Sequence, residues 1–234
     1  MSTATTPDKN SVMDRLKLET RPAHDRIESV PFSMMMQEGR LPRARFSAQL
    51  ACWLTVHGTL EAAVRESTDE ACQAVWVESM ARTMHLRNDL CCHGDMDMPA
   101  GAATATLKTV AWLSALSKSD SRALLGCLYV LEGSKLGGTI LRKCLDDAYG
   151  CGPEALSYYW AGGTSPMPDF RAFKERMEAA LTTDDERDRV VAAASGMFDH
   201  LTDVLEGLLC GLDTSEESSP AEPAPEGSCP FGHG

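Results

Sequence analysis

Several things are missing from this 234-residue sequence, and each absence narrows what it can do. No apolar run approaches the roughly 18 residues of a membrane-spanning helix; the longest, from Ala123 to Leu131, covers nine. Basic residues do not outnumber acidic ones: 22 Lys and Arg stand against 34 Asp and Glu, a formal net charge of −12. That balance argues against a nucleic-acid footprint and against attraction to an anionic membrane surface. None of the nine cysteines forms a Cys-x-x-Cys pair, so neither a zinc ribbon nor a thioredoxin-type motif is present. The N-terminal stretch has no apolar signal core. The expectation is a cytoplasmic protein whose cysteines serve mostly as small buried apolar residues. Aromatics are only 6% of the chain, no segment alternates long enough to read as a strand, and no internal repeat is found.

What the sequence does have is helical periodicity. Met13, Leu16, Thr20, Ala23 and Ile27 recur at spacings of 3 and 4, as do Phe46, Leu50, Trp53, His57, Leu60 and Val64. The pattern predicts further helices over about 69–90, 120–149 and 184–212. Pro166 and Pro168 open another, which carries Phe170, Phe173 and Met177. Thr183 and Glu186 are spaced as a capping box. Gly- and Pro-rich loops are expected at 38–42, 92–103, 150–153 and 161–168. The prediction is an all-α, single-domain bundle over residues 11–212, after a flexible N-terminus of residues 1–10. From Asp213 the chain turns to Ser, Pro, Glu and Ala, with five acidic residues and no Lys or Arg. Such a segment reads as a disordered tail over 213–234. It ends, however, in a distinctive Cys229-Pro-Phe-Gly-His233-Gly.

Two clusters carry chemistry. Lys17, Arg21, His24 and Glu28 follow one another at spacings of 4, 3 and 4. On one helix they would share an arc of roughly 60°. The carboxylate could hold one imidazole nitrogen and leave the other as a ligand, while the cations could bind an anion. An ordinary solvated face would look similar. Pro22 also allows a helix that begins there, with Thr20 as its cap and Lys17 and Arg21 on a preceding turn. The second cluster is Gly133-Ser134-Lys135-Leu136-Gly137-Gly138. Glycines inside a helix cost about 1 kcal/mol each relative to Ala. They strip one face so that another helix, or a flat ligand, can approach the backbone.

Together, the segments Leu18–Glu28 and Leu128–Gly138 resemble the haem oxygenase family, most closely its bacterial branch. The likeness extends over roughly residues 12–210. It implies that His24 is the proximal ligand of the haem iron and that Glu28 orients it. Lys17, Arg21 and, less exactly in register, Arg171 and Lys174 would pair with the haem propionates. Gly133, Gly137 and Gly138 would let the distal helix lie over the macrocycle. The implied reaction converts haem, oxygen and electrons from a ferredoxin or another reductase into biliverdin, carbon monoxide and iron. Haem is then both cofactor and substrate, and a homodimer is conceivable.

The sequence departs from this pattern in two places. Ser134 stands where many members carry an aspartate that organises water, with Tyr129 and Lys135 as candidate substitutes. The tail adds Cys229, similar to haem-regulatory Cys-Pro motifs, with His233 as an alternative ligand. Both departures favour a competing reading, a haem-binding protein that senses or delivers haem without degrading it. A di-iron carboxylate protein would need Glu-x-x-His pairs on facing helices, and no convincing set is present. His57, His85, His93 and His200 are expected to be structural.

Overall fold

A computed structural model describes residues 11–159 and 166–214. Those residues form ten α-helices and three short 3-10 segments, with no strand among them. In chain order the helices are α1 (Val12–Glu19), α2 (Arg21–Ser29), α3 (Pro31–Gln37), α4 (Arg43–Arg65), α5 (Glu70–Val75), α6 (Thr83–His93), α7 (Ala100–Ser119), α8 (Leu124–Tyr149), α9 (Met167–Ala180) and α10 (Asp184–Leu208). No single one of them is long and apolar enough to cross a membrane.

Helix α10 is the hub. Val190, Ala194, Met197, Leu201, Val204 and Leu208 form one buried stripe along it. Its start is held by the expected capping box, in which Thr183 and Glu186 satisfy each other's backbone N–H groups. Helices α7 and α8 lie against it, as do α1 and α2. Two of these crossings are too close for a side chain. A Cβ on Gly126 of α8 would lie 2.0 Å from the Val190 carbonyl oxygen, and one on Gly207 of α10 would lie 2.7 Å from the Ala102 nitrogen of α7. Helix α4 fills the other side and packs on α6, α7 and α8.

The structure corrects several sequence boundaries. The helix expected over 69–90 is broken into α5, a 3-10 turn at Glu78–Met80 and α6. The break lets Met80 reach the core and turns the start of α6 onto buried Glu61 of α4, which accepts from Arg82 N and Thr83 Oγ1. Helix α7 begins at Ala100, inside the expected 92–103 loop, and Cys92 and His93 belong to α6. The 3,4-spaced buried residues Ala102, Thr106, Thr109 and Leu113 are its amphipathic signature. Helices α3 and α7 were not anticipated, and α10 stops at Leu208 rather than Leu212. Of the eight cysteines in the described residues only Cys52, Cys72 and Cys127 are buried, while Cys91 and Cys210 are exposed.

Two stability predictions follow from this packing. Gly126→Ala forces α8 away from α10, so the melting temperature should fall by the equivalent of about 1–3 kcal/mol or more. His93, whose Nε2 faces the Ala155 carbonyl at 2.7 Å, is pushed by burial from 6.5 down to about 4. The unfolded chain therefore binds a proton that the folded one refuses. His93 stabilises fully above pH 6.5, and that contribution is lost as the pH falls toward 4, on the order of 3 kcal/mol. Denaturant titrations at pH 7 and pH 4.5 should show a smaller difference for His93→Gln than for the unchanged protein.

Candidate functional site

The first candidate cluster is split by a break in the helix. Helix α1 ends at Glu19 and α2 begins at Arg21, with Pro22 in its first turn. The single-helix arc is therefore not formed, and Lys17 sits on the preceding helix. Thr20 occupies the cap position, but its hydroxyl does not cap α2: it donates backward to the Leu16 carbonyl at 2.6 Å. Helix α1 is fixed from the far side of the chain. Glu178 of α9 accepts from Ser11 Oγ and from the backbone nitrogens of Val12 and Met13, capping α1 and tying it to α9.

On α2, His24 lies against Phe198 of α10, edge to face with ring centroids 5.8 Å apart. Its side chain is 45% exposed. Its Nδ1, however, is shielded from solvent and has no hydrogen-bond partner. Glu28 Oε2 is 3.5 Å from that nitrogen and Asp25 Oδ1 is 3.7 Å away. The exposure of the ring thus falls on atoms other than Nδ1, and the carboxylates favour a proton on Nδ1. Arg21 is held by Asp25 at 2.7 Å in an exposed pair, an interaction weak enough to exchange for another anion.

The second cluster divides sharply. A Cβ on Gly133 or on Gly137 would meet nothing within 4 Å, whereas one on Gly138 would lie 3.3 Å from the Tyr159 carbonyl oxygen. Gly133 and Gly137 leave a bare, open strip of helix. Gly138, expected to serve the same strip, instead lets the 3-10 segment Pro153–Tyr159 pack against α8. Thr20, at the start of α2, lies beside the Tyr129 hydroxyl of α8, one turn before the bare strip. Beside Leu136 opens a cleft of about 710 Å³, lined also by Met167, Phe170, Arg171, Lys174 and Glu178. Lys17, Arg171 and Lys174 are all exposed and make no ion pair among the described residues.

Both candidate substitutes for a distal acid are engaged elsewhere. Lys135 pairs with buried Glu132 and reaches the Met80 carbonyl, and Tyr129 is turned toward Thr20. Ser134 is exposed beside Gly133, its Oγ donating to the Leu131 carbonyl at 2.8 Å. Cys229 and His233 lie outside the described residues. The structure adds residues that sequence reasoning passed over as chemistry. His57 Nε2 is 3.0 Å from Tyr158 Oη, and His57 Nδ1 is 3.4 Å from Glu61 Oε1. No sequence signal pointed to Tyr158, which is 101 residues from His57.

The family model described as "Heme oxygenase" matches residues 10–207. The chain belongs to the haem oxygenase family. A heme oxygenase from Takifugu rubripes is 23% identical over 225 residues, spanning 92% of this chain and 80% of that one. Among solved structures, heme oxygenase-2 from Synechocystis, crystallised with heme and NO, superposes with a TM-score of 0.78 at 19% identity, covering 85% of each chain. The heme oxygenase of Leptospira interrogans gives 0.71 at 20% identity over 83% of this chain and 98% of that one. At such identities the structural likeness establishes the shared fold.

If the strip is open as described, its glycines should respond differently to alanine. Gly133→Ala and Gly137→Ala should each raise the melting temperature, by the equivalent of up to about 1 kcal/mol, because a helix favours Ala and nothing is in the way. Gly138→Ala should not, since Tyr159 must first move. Thermal unfolding of the three single variants checks the order.

Proposed function

We propose that this family member cleaves haem with oxygen and external reducing equivalents, giving biliverdin, carbon monoxide and ferrous iron. The observation that carries the reading is a histidine on α2 with Nδ1 shielded beside carboxylates, together with a strip of α8 bare at Gly133 and Gly137. Haem is the substrate; when bound, it also supplies the iron that activates oxygen.

The residues fit such a group. His24 holds Nδ1 shielded beside Glu28 and Asp25, so Nε2 would be the lone-pair donor to iron. Gly133 and Gly137 allow main-chain contact with a flat ring that any Cβ would hold off. Lys17, Arg171 and Lys174, which make no ion pair among the described residues, stand on α1 and α9, helices that Glu178 ties together. Arg21 can join them by leaving Asp25. These groups match two carboxylate side chains at the edge of a macrocycle. Apolar Leu136, Met167 and Phe170 line the cleft and would exclude water from its body. Electrons would come from a ferredoxin or another reductase.

One observation favours a second reading, that haem is bound but not broken. Ser134 offers a hydroxyl turned onto its own helix, where an acid would face the cleft.

A single experiment separates the two readings. The protein is reconstituted with haemin, and ascorbate or a ferredoxin system is added under air. Loss of the Soret band with growth of a biliverdin band supports cleavage; a persistent Soret band supports mere binding. His24→Ala should abolish turnover and change the ferric spectrum, and full activity would remove His24 from the mechanism. Gly133→Ala, although stabilising to the free protein, should weaken haemin affinity by about tenfold or more, some 1.4 kcal/mol.

A further inference from the structure

Beneath the bare strip of α8 runs a chain of buried polar groups that the reading above does not use. Its inner end is Glu61, 4% exposed, which accepts from Arg82 N at 2.7 Å and from Thr83 Oγ1 at 2.5 Å. Those donors and the neighbouring His57 outweigh the effect of burial and hold its pKa below the ordinary value, so it is a carboxylate. An ionised carboxylate only accepts hydrogen bonds. His57 is also 4% exposed. Burial keeps it neutral, reinforced by Lys135 of α8 and Arg82 at the start of α6, although Glu61 pulls the other way. A neutral imidazole carries one proton, and the nitrogen facing Glu61 at 3.4 Å is Nδ1. The proton therefore sits on Nδ1, and Nε2 is a bare acceptor.

Tyr158 Oη, 3.0 Å from Nε2, must be the donor there. Its single proton is thus committed, and its oxygen has only lone pairs left to offer. The residue is held in place from behind. Asp89 of α6 accepts from the backbone nitrogens of Ser157 and Tyr158 at 2.7 and 2.8 Å, and from Ser157 Oγ. Ser134, next to Gly133, adjoins the Tyr158 hydroxyl, with its own proton given to the Leu131 carbonyl.

We propose that Tyr158 is a positioning residue of the distal side. Its hydroxyl, with the proton pinned on His57, accepts from water beside Ser134 and the bare Gly133 backbone and so orients that water toward the ring. A tyrosine oxygen made an obligate acceptor offers what a carboxylate at position 134 would offer, without the charge. The proposal rests on the haem reading, and its test separates the two.

In the free protein, nitrogen-15 NMR should find His57 protonated on Nδ1 and unprotonated on Nε2 near neutral pH. In the ferric haemin complex, Tyr158→Phe should keep the Soret band and the haemin affinity. It should shift the midpoint of the acid–alkaline spectral transition by about half a pH unit or more, the size of one lost hydrogen bond. His57→Phe, which frees the tyrosine proton, should shift it as well. Ser134→Asp placed in the Tyr158→Phe background should restore the midpoint, a rescue that a merely structural role for Tyr158 would not give. An unmoved midpoint in Tyr158→Phe with an intact Soret band, or a proton on Nε2 of His57, overturns this proposal alone. Failure of the unaltered protein to bind haemin overturns the haem reading and this proposal with it.

Discussion

How near the backbone of α8 comes to its neighbours is the constraint on which the site depends. Four glycines punctuate this helix, each costing about 1 kcal/mol in helix propensity. Gly126 admits the Val190 carbonyl of α10 and Gly138 admits the Tyr159 carbonyl, so both are explained by protein contacts. Gly133 and Gly137 are touched by nothing within 4 Å. The helix is packed tightly at Gly126 and Gly138 and left bare at Gly133 and Gly137 between them.

The facing wall is built by a different device. A proline after Thr20 interrupts the first helical stretch, so that α2 can lie on α10 with His24 against Phe198 while α1 is capped by Glu178 of α9. The imidazole on α2 and the exposed cations on α1 and α9 therefore stand on separate supports. Rigid placement of the first and adaptable placement of the second suits a ligand with one central metal and flexible anionic arms. The polar chain from Glu61 through His57 to Tyr158 then reaches the site from the core side, along helices α4 and α6 that carry no part of the proximal wall.

Much of this was legible in one dimension. Local signals mark the all-α class, the stripes of α4 and α10, the Thr183–Glu186 cap and the start of α9, since each depends on residues within a few turns of one another. The segments around His24 and Gly133 were legible as chemistry for the same reason. The breaks at 76–82 and at Thr20 were misplaced or left open, and α7 went unread. Helix termination there answers to distant partners such as Glu61, or to a Pro whose two readings are equivalent without the rest of the fold.

By itself the sequence determined which residue types could grip a flat anionic ligand, because a histidine, a glycine pair and lysines keep their chemistry wherever they are placed. Only the tertiary structure decided that Gly138 belongs to helix packing rather than to the open strip, that Lys135 is spent on Glu132, and that Tyr158 meets His57. Those outcomes depend on side chains and backbone brought together from opposite ends of the chain, and no spacing along it encodes such a meeting.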